Sequence, residues 1–265
     1  IKPSESTTST TKQSEPTTIM PTITTTNTKY VNLVMISDRK DDAPLRAFVN
    51  SILFNTSAPV RLNYVSSKKA DWLEELSRES FFSIRRYDSA SLIEKVDHFK
   101  KVTGFRSTHY SDRYTMLKLF IPTLTWKDDK DAEKVLVVDD DIVFFDDIVP
   151  LWELVQRNTS TISLYCPIDP RRVEASFTAP NRSLNGHYER FCQGGMLAVP
   201  AKAEISDMFF QAGANIMASY PDFVSGTSDQ DIVNRFFVDY HQDTDTIPCG
   251  WACDWNSCNQ GLTGC

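Results

Sequence analysis

Five aspartates stand within nine positions at "DDDIVFFDD", Asp139 to Asp147, directly behind the apolar run "KVLVV". If the strand continued, alternation would send Asp139 and Asp141 to one side, a few Å apart, and Asp140 to the other. Two carboxylates held that close repel each other, and a divalent cation between them is the natural compensation. Oxygen donors favour Mn2+ or Mg2+, which complete their shells with phosphate oxygens and water. A carboxylate-rich turn that caps the next element is the plainer alternative, and the local pattern leaves both open. Asp146 and Asp147 read as the start of the following "IVPLWEL" turn.

A second acidic group, "SDQD", opens the stretch "GTSDQDIVNRFFVDY". It reads as a helix begun by Thr227 or Ser228, with acidic residues in the first turn, where the helix dipole favours them. Asp229 could serve chemistry there or merely cap the helix. Four lone histidines, His98, His109, His187 and His241, read as core or surface residues more readily than as metal ligands.

The elements that must position these groups alternate along the chain. "YVNLVMISD" reads as a buried parallel strand and "APLRAFVNSILFN" as a helix with Leu45, Phe48, Val49, Ile52 and Leu53 at helical spacing. "VRLNYV" and "FFSIRRYD" are strands, "SKKADWLEELSRE" a helix with Ser67 as N-cap, and "ASLIEKVDHFKKV" a further helix. "HYSDRYTMLKLFIPTL" reads as a helix stopped near Pro122, and "KVLVVDDDIVF" as the next strand. "TISLYCPI" and "GGMLAVP" are later strands, followed by the helix "AEISDMFFQAGANIMASY". Such alternation describes an α/β, doubly wound sheet. In these folds ligands gather at the carboxyl ends of the strands, where the first aspartate group falls.

The bulk properties bound the rest. The chain has 265 residues, 41% of them hydrophobic, enough for a sizeable core, and a formal net charge of −7 that disfavours a broad nucleic-acid surface. No apolar stretch reaches membrane-span length, and no signal peptide is visible. Residues 1–29 differ in kind: fifteen of the first thirty residues are Ser or Thr. That composition cannot offset its ordering entropy and reads as a disordered, O-glycosylated stalk, or an ordinary tail, ahead of a single domain over 30–265. Six cysteines, Cys166, Cys192, Cys249, Cys253, Cys258 and Cys265, are even in number, with four crowded at the end. They point to a disulfide-tied segment in an oxidising compartment over free thiols or a zinc knot, which usually shows tight Cys pairs or a His pair. Sequons at Asn55, Asn158 and Asn181 agree with that compartment.

The stretches "HYSDRYTMLKLFIPTL", "KVLVVDDDIVFFDDIVPLWEL", "ERFCQGGMLAVP", "GTSDQDIVNRFF" and "IPCGWACDWNSC" resemble, in that order, the family 8 retaining glycosyltransferases. The nearest group is the one that includes the LARGE and glucoside xylosyltransferase catalytic domains. The resemblance runs from about Tyr30 to Cys258. It implies a GT-A fold, a UDP-sugar donor and a divalent metal, commonly Mn2+, with Mg2+ as the substitute. It assigns the metal to Asp139 and Asp141, and the ribose or donor sugar to Asp140. Ser37 and Asp38 fall where the family contacts uracil and ribose, and Tyr114 and Lys118 on the helix over the donor. Asp229 and Gln230 match the pair at the sugar's reacting face, where retention is ascribed to front-face attack assisted by the UDP phosphate, or else to a covalent intermediate.

Some positions depart from the family pattern. Cys192-Gln193-Gly194 stands where the family has Asn-Ser/Thr-Gly, at the acceptor or donor-sugar side, and Met116 where many members have Arg. Cys253-Asp254-Trp255-Asn256 fits the family's Cys-x-Trp-Asn and brings Trp255 and Asn256 to that same side. The histidine expected as third metal ligand beyond it does not occur before Cys265. The expectation is a metal-dependent transferase carrying a sugar, xylose first, from a UDP-sugar to a glycan or glycoprotein. It would work in the Golgi lumen or after secretion, with any N-terminal membrane anchor removed. The alternative is a catalytically weak or inactive GT-A-fold domain that binds carbohydrate or protein from its stalk. A calcium adhesion module would need several more oxygen donors.

Overall fold

The computed structural model describes residues 30–38, 42–76, 81–124, 134–157, 162–165, 193–240 and 244–247. The N-terminal half winds outward from its first strand. Strands β1 (Val31–Ile36), β2 (Val60–Val65) and β3 (Phe82–Tyr87) pair in parallel, with helices α1 (Ala43–Asn55) and α2 (Asp71–Leu76) between them. Helix α3 (Ala90–Thr103) follows β3 and ends at Gly104, whose φ of 74° is the left-handed cap conformation that glycine takes without a Cβ penalty. The chain then returns to the other side of β1, where β4 (Lys134–Val138) pairs in parallel, Leu33 opposite Leu136.

Beyond β4 the sheet becomes mixed. Strand β6 (Gln193–Pro200) runs antiparallel between β4 and β5 (Ile162–Tyr165), and β7 (Thr244–Ile247) pairs in parallel with β5. The order is β3-β2-β1-β4-β6-β5-β7. The molecule is thus a mixed α/β single domain with doubly-wound-like topology. The strand order reverses between β1 and β4, which opens a crevice at their carboxyl ends.

Alternation in the strands divides the core into two faces. Leu33, Met35, Leu136 and Val138 point to one side, under α1, α2 and α5 (Val149–Arg157). Val34, Val135 and Val137 point to the other, under α3, α6 (Ala203–Ser219) and α7 (Asp229–Asp239). Each fully buried Leu, Phe or Val contributes roughly 1.5–3 kcal/mol relative to exposure, so these paired layers dominate the fold's stability. Helix α6 comes close to α3 because residue 213 is glycine. A Cβ there would stand 2.4 Å from Phe99 Cζ.

Several local expectations change. Helix α2 begins at Asp71, not behind a Ser67 cap, because the Ser67 amide and hydroxyl both donate to Asp38 Oδ1, at 2.8 and 2.9 Å. The "HYSDRYTMLKLFIPTL" segment is a short α-turn, α4 (Asp112–Thr115), that tightens into a 3-10 segment, Met116–Thr123, with Pro122 inside it. Strand β4 stops at Val138, and Asp139–Ile142 form a turn closed by the Ile142 amide and the Asp139 carbonyl. Asp147 accepts from the Val149 amide at 3.0 Å at the start of α5.

Among the described residues no helix is long and apolar enough to cross a membrane. Residues 1–29, Cys192, Trp255, Asn256, Asn158 and Asn181 lie outside the described residues. All six cysteines lie outside them too, so the disulfide expectation falls outside the described residues.

Candidate functional site

The crevice between the carboxyl ends of β1 and β4 holds a cavity of about 400 Å3. Its walls come from four places in the chain: the end of β1, the segment from His109 to Lys118, the turn after β4, and the entry to α7. Ser37, Asp38, Tyr114, Lys118, Asp139, Asp140, Asp141, Asp229 and Gln230 all line it. Nine residues singled out in the sequence therefore meet in one cavity. Gln193 and Gly194 lie at the start of β6, next to Gly195, which lines the cavity. A Cβ on Gly195 would come within 3.3 Å of Asp139 Oδ2, so a glycine here leaves that carboxylate its place.

The turn at the end of β4 separates the three aspartates differently from a strand. Asp140 is buried and accepts a hydrogen bond from Ser37 Oγ at 2.5 Å, which ties the turn to the end of β1. Asp141 is exposed, and the Asp139 side chain is 37% exposed. The ammonium of Lys118 lies 2.7 Å from Asp139 Oδ1 and 3.1 Å from Asp229 Oδ2. Burial alone would push this ammonium down, but the two carboxylates outweigh it and hold the lysine well above its usual value. At an effective dielectric of about 20, unit charges about 3 Å apart attract by roughly 5 kcal/mol, comparable with the several kcal/mol of desolvation. Asp229 is pushed up from the ordinary carboxylate value by burial, against the pull of Lys118.

This arrangement corrects the metal expectation. Asp139 is paired with an ammonium, Asp140 with a serine hydroxyl, and Asp141 lines the cavity as an exposed residue. Among the described residues no group of three or more His, Cys, Asp or Glu side chains is placed to hold a metal ion. The described residues do not assemble a Mn2+ or Mg2+ site, and the metal-dependent transfer read from Asp139 and Asp141 is withdrawn with it.

Asp38 is more firmly tied than a ligand contact alone requires. Its Oδ1 accepts from Ser66 Oγ and from the amide and hydroxyl of Ser67, and its carbonyl accepts from Lys68 Nζ. Tyr114 also hydrogen-bonds its carboxylate, and partial burial together with that charge pushes the phenol up.

Other lining residues had no sequence signal of their own. Thr115 lines the cavity three residues before Lys118, and its hydroxyl donates to the Asp112 carbonyl at 3.2 Å. His109, read as a lone core or surface histidine, lines the cavity beside Tyr110, their rings 4.6 Å apart. Neither has a sequence pattern that distinguishes it.

In sequence, the chain matches the model of glycosyl transferase family 8 over residues 25–257. No curated protein matches it. Mouse xyloside xylosyltransferase 1 in its apo form superposes with a TM-score of 0.63 at 16% identity, covering 88% of this chain and 91% of that one. Galactosyltransferase LgtC, in complex with donor and acceptor sugar analogues, superposes at 0.55 with 16% identity, covering 82% and 73%. GlyE of Streptococcus pneumoniae TIGR4 superposes at 0.53 with 15% identity, covering 84% of this chain and 46% of that one. At such identities the superpositions speak for the fold alone, and the family rests on the sequence match. The chain belongs to glycosyl transferase family 8, and is a UDP-sugar-dependent glycosyltransferase of GT-A fold.

Proposed function

We propose that this domain is a catalytically weak member of its family whose main property is to bind carbohydrate, as a sugar or as a UDP-sugar. One observation carries the reading: the Lys118 ammonium is engaged by Asp139 and Asp229. Five carboxylates line the cavity, those of Asp38, Asp139, Asp140, Asp141 and Asp229, against that one lysine. A diphosphate entering such a site meets like charge, which weakens both its binding and the stabilisation of a departing UDP. A neutral sugar meets no such penalty, because its hydroxyls donate to carboxylates and to the Gln230 amide oxygen.

In this reading Ser37 and Asp38 flank the nucleoside, Tyr114 covers it, and Asp140 holds the turn against Ser37. Asp229 and Gln230 face the sugar, with Lys118 paired to Asp229. Gln193 and Gly194 border the same space from β6. Residues 30–265 act as one unit, with 1–29 as a spacer.

The reading is tested by titrating the protein with UDP, free monosaccharides and a panel of UDP-sugars, and by measuring UDP release from each. Weak binding that improves with the sugar, and slow release, is the expected outcome. Turnover on the order of 10 per second, ordinary for enzymes, would overturn the weak-enzyme reading. Absence of binding by every sugar and nucleotide sugar would overturn the binding reading as well.

A further inference from the structure

Ser228 stands immediately before Asp229 and is the only non-glycine residue with positive φ among the described residues, at φ 60° and ψ −112°. Residues with a Cβ avoid this region, and they persist there where surrounding contacts over-determine them. Ser228 is fully buried, and its hydroxyl donates to Asp112 Oδ1 at 2.6 Å, with the Asp112 carbonyl at 3.2 Å. The other oxygen of Asp112 forms an ion pair with Lys100 of α3. On the loop side, the Ser225 hydroxyl accepts from the Ser228 amide at 2.7 Å and donates to the buried Asp231 at 2.5 Å.

These contacts join the two walls that face each other across the cavity. Asp112 opens α4, which carries Tyr114 and Thr115 and leads directly into Lys118. Ser228 opens α7, which carries Asp229 and Gln230. A serine that only capped α7 would turn its hydroxyl to the helix's own amides; here the side chain makes no capping bond and crosses to the opposite wall.

We propose that Ser228 and Asp112 form a latch that positions Asp229 and Gln230 against the donor's sugar, with Lys100 orienting Asp112. The proposal rests on the reading of the cavity as a sugar site. Ser228 is thus a positioning residue: it acts through its neighbours and touches no ligand. The strain at its backbone and the bond to Asp112 together set the angle at which α7 enters the site.

The test compares affinities for UDP and for the tightest-binding UDP-sugar by ligand-observed NMR titration, with thermal melting as a check on folding. Wild type is expected to prefer the UDP-sugar. Ser228→Gly removes the backbone strain and the hydroxyl together, so it folds, yet the preference falls about fivefold while UDP affinity holds. Asp112→Ala gives the same loss. Asp112→Asn, which still accepts from Ser228 but loses the ion pair with Lys100, recovers only part of it. A purely structural role would lower both affinities together or neither. An unchanged preference in both Ser228→Gly and Asp112→Ala, or equal losses for UDP and UDP-sugar, overturns the latch alone. Absence of binding by wild type overturns the sugar-site reading and the latch with it.

Discussion

Lys118 holds Asp139 at 2.7 Å, and through the same ammonium it reaches Asp229 at 3.1 Å, so one buried cation ties the turn after β4 to the first residue of α7. Removing that cation leaves Asp229, itself buried, without its countercharge. Lys118→Met is therefore expected to cost about 3–5 kcal/mol of unfolding free energy. Adding Asp229→Asn should recover a large part of it, because the unpaired charge is gone. Urea denaturation of the two variants measures this; a double variant as unstable as the single one would speak against the coupling.

The entry to α7 should also show in the pH dependence of stability. Burial pushes Asp231 above the ordinary carboxylate value of 3.8, with the Ser225 hydroxyl bond opposing it. A carboxyl whose folded value is raised contributes stability that is fully present below its unfolded value and is lost as pH rises through the folded one. Asp231→Asn removes this titration while keeping an oxygen for Ser225. Relative to wild type, the variant should gain stability progressively as pH rises over the range above the ordinary carboxylate value. A constant difference across that range would refute the assignment.

Gly213→Ala places a methyl group where Phe99 Cζ lies 2.4 Å away. Phe99 is packed by Phe105, Phe120 and Phe210, so it has little freedom to yield. Overpacking of this kind costs about 1–3 kcal/mol. Thermal denaturation should show the loss, and a variant as stable as wild type would mean that α6 can shift away from α3.

Asp38→Ala removes the acceptor of three hydrogen bonds from Ser66 and Ser67. At about 0.5–1.5 kcal/mol each, their loss should loosen the β2–α2 connection more than the fold as a whole. Amide hydrogen exchange should quicken at Ser67, whose amide donates to the lost carboxylate, while α3 and β4 keep their protection. Unchanged exchange at Ser67 would show that the connection is held elsewhere.

Regular elements with strong periodicity are legible in the order of residues alone. The apolar runs of β1 and β4, the helical spacing of Leu45, Phe48, Val49 and Ile52, and the alternating "VRLNYV" mark their elements because burial imposes the pattern directly. The family resemblance adds the site, since nine of the residues it singles out meet in one cavity. Features that depend on partners distant in sequence are not legible in this way. Ser67 reads as a cap, yet Asp38, 29 positions away, takes both of its donors. The aspartates at 139–141 read as an alternating strand, yet the turn after Val138 separates them. Lys118 reads as a helix lysine, yet the 3-10 segment buries it against Asp139 and Asp229. Strand β7, only four residues long, carries no period that a sequence can display.

The claim that the cavity works with Lys118 as its internal cation, and without a divalent metal, is tested most directly on the wild-type protein. UDP-sugar affinity is measured once in a strong chelator and once in millimolar Mn2+. The account predicts weak binding of the same strength in both, within about twofold. A gain of tenfold or more with Mn2+, equivalent to about 1.4 kcal/mol, would contradict it.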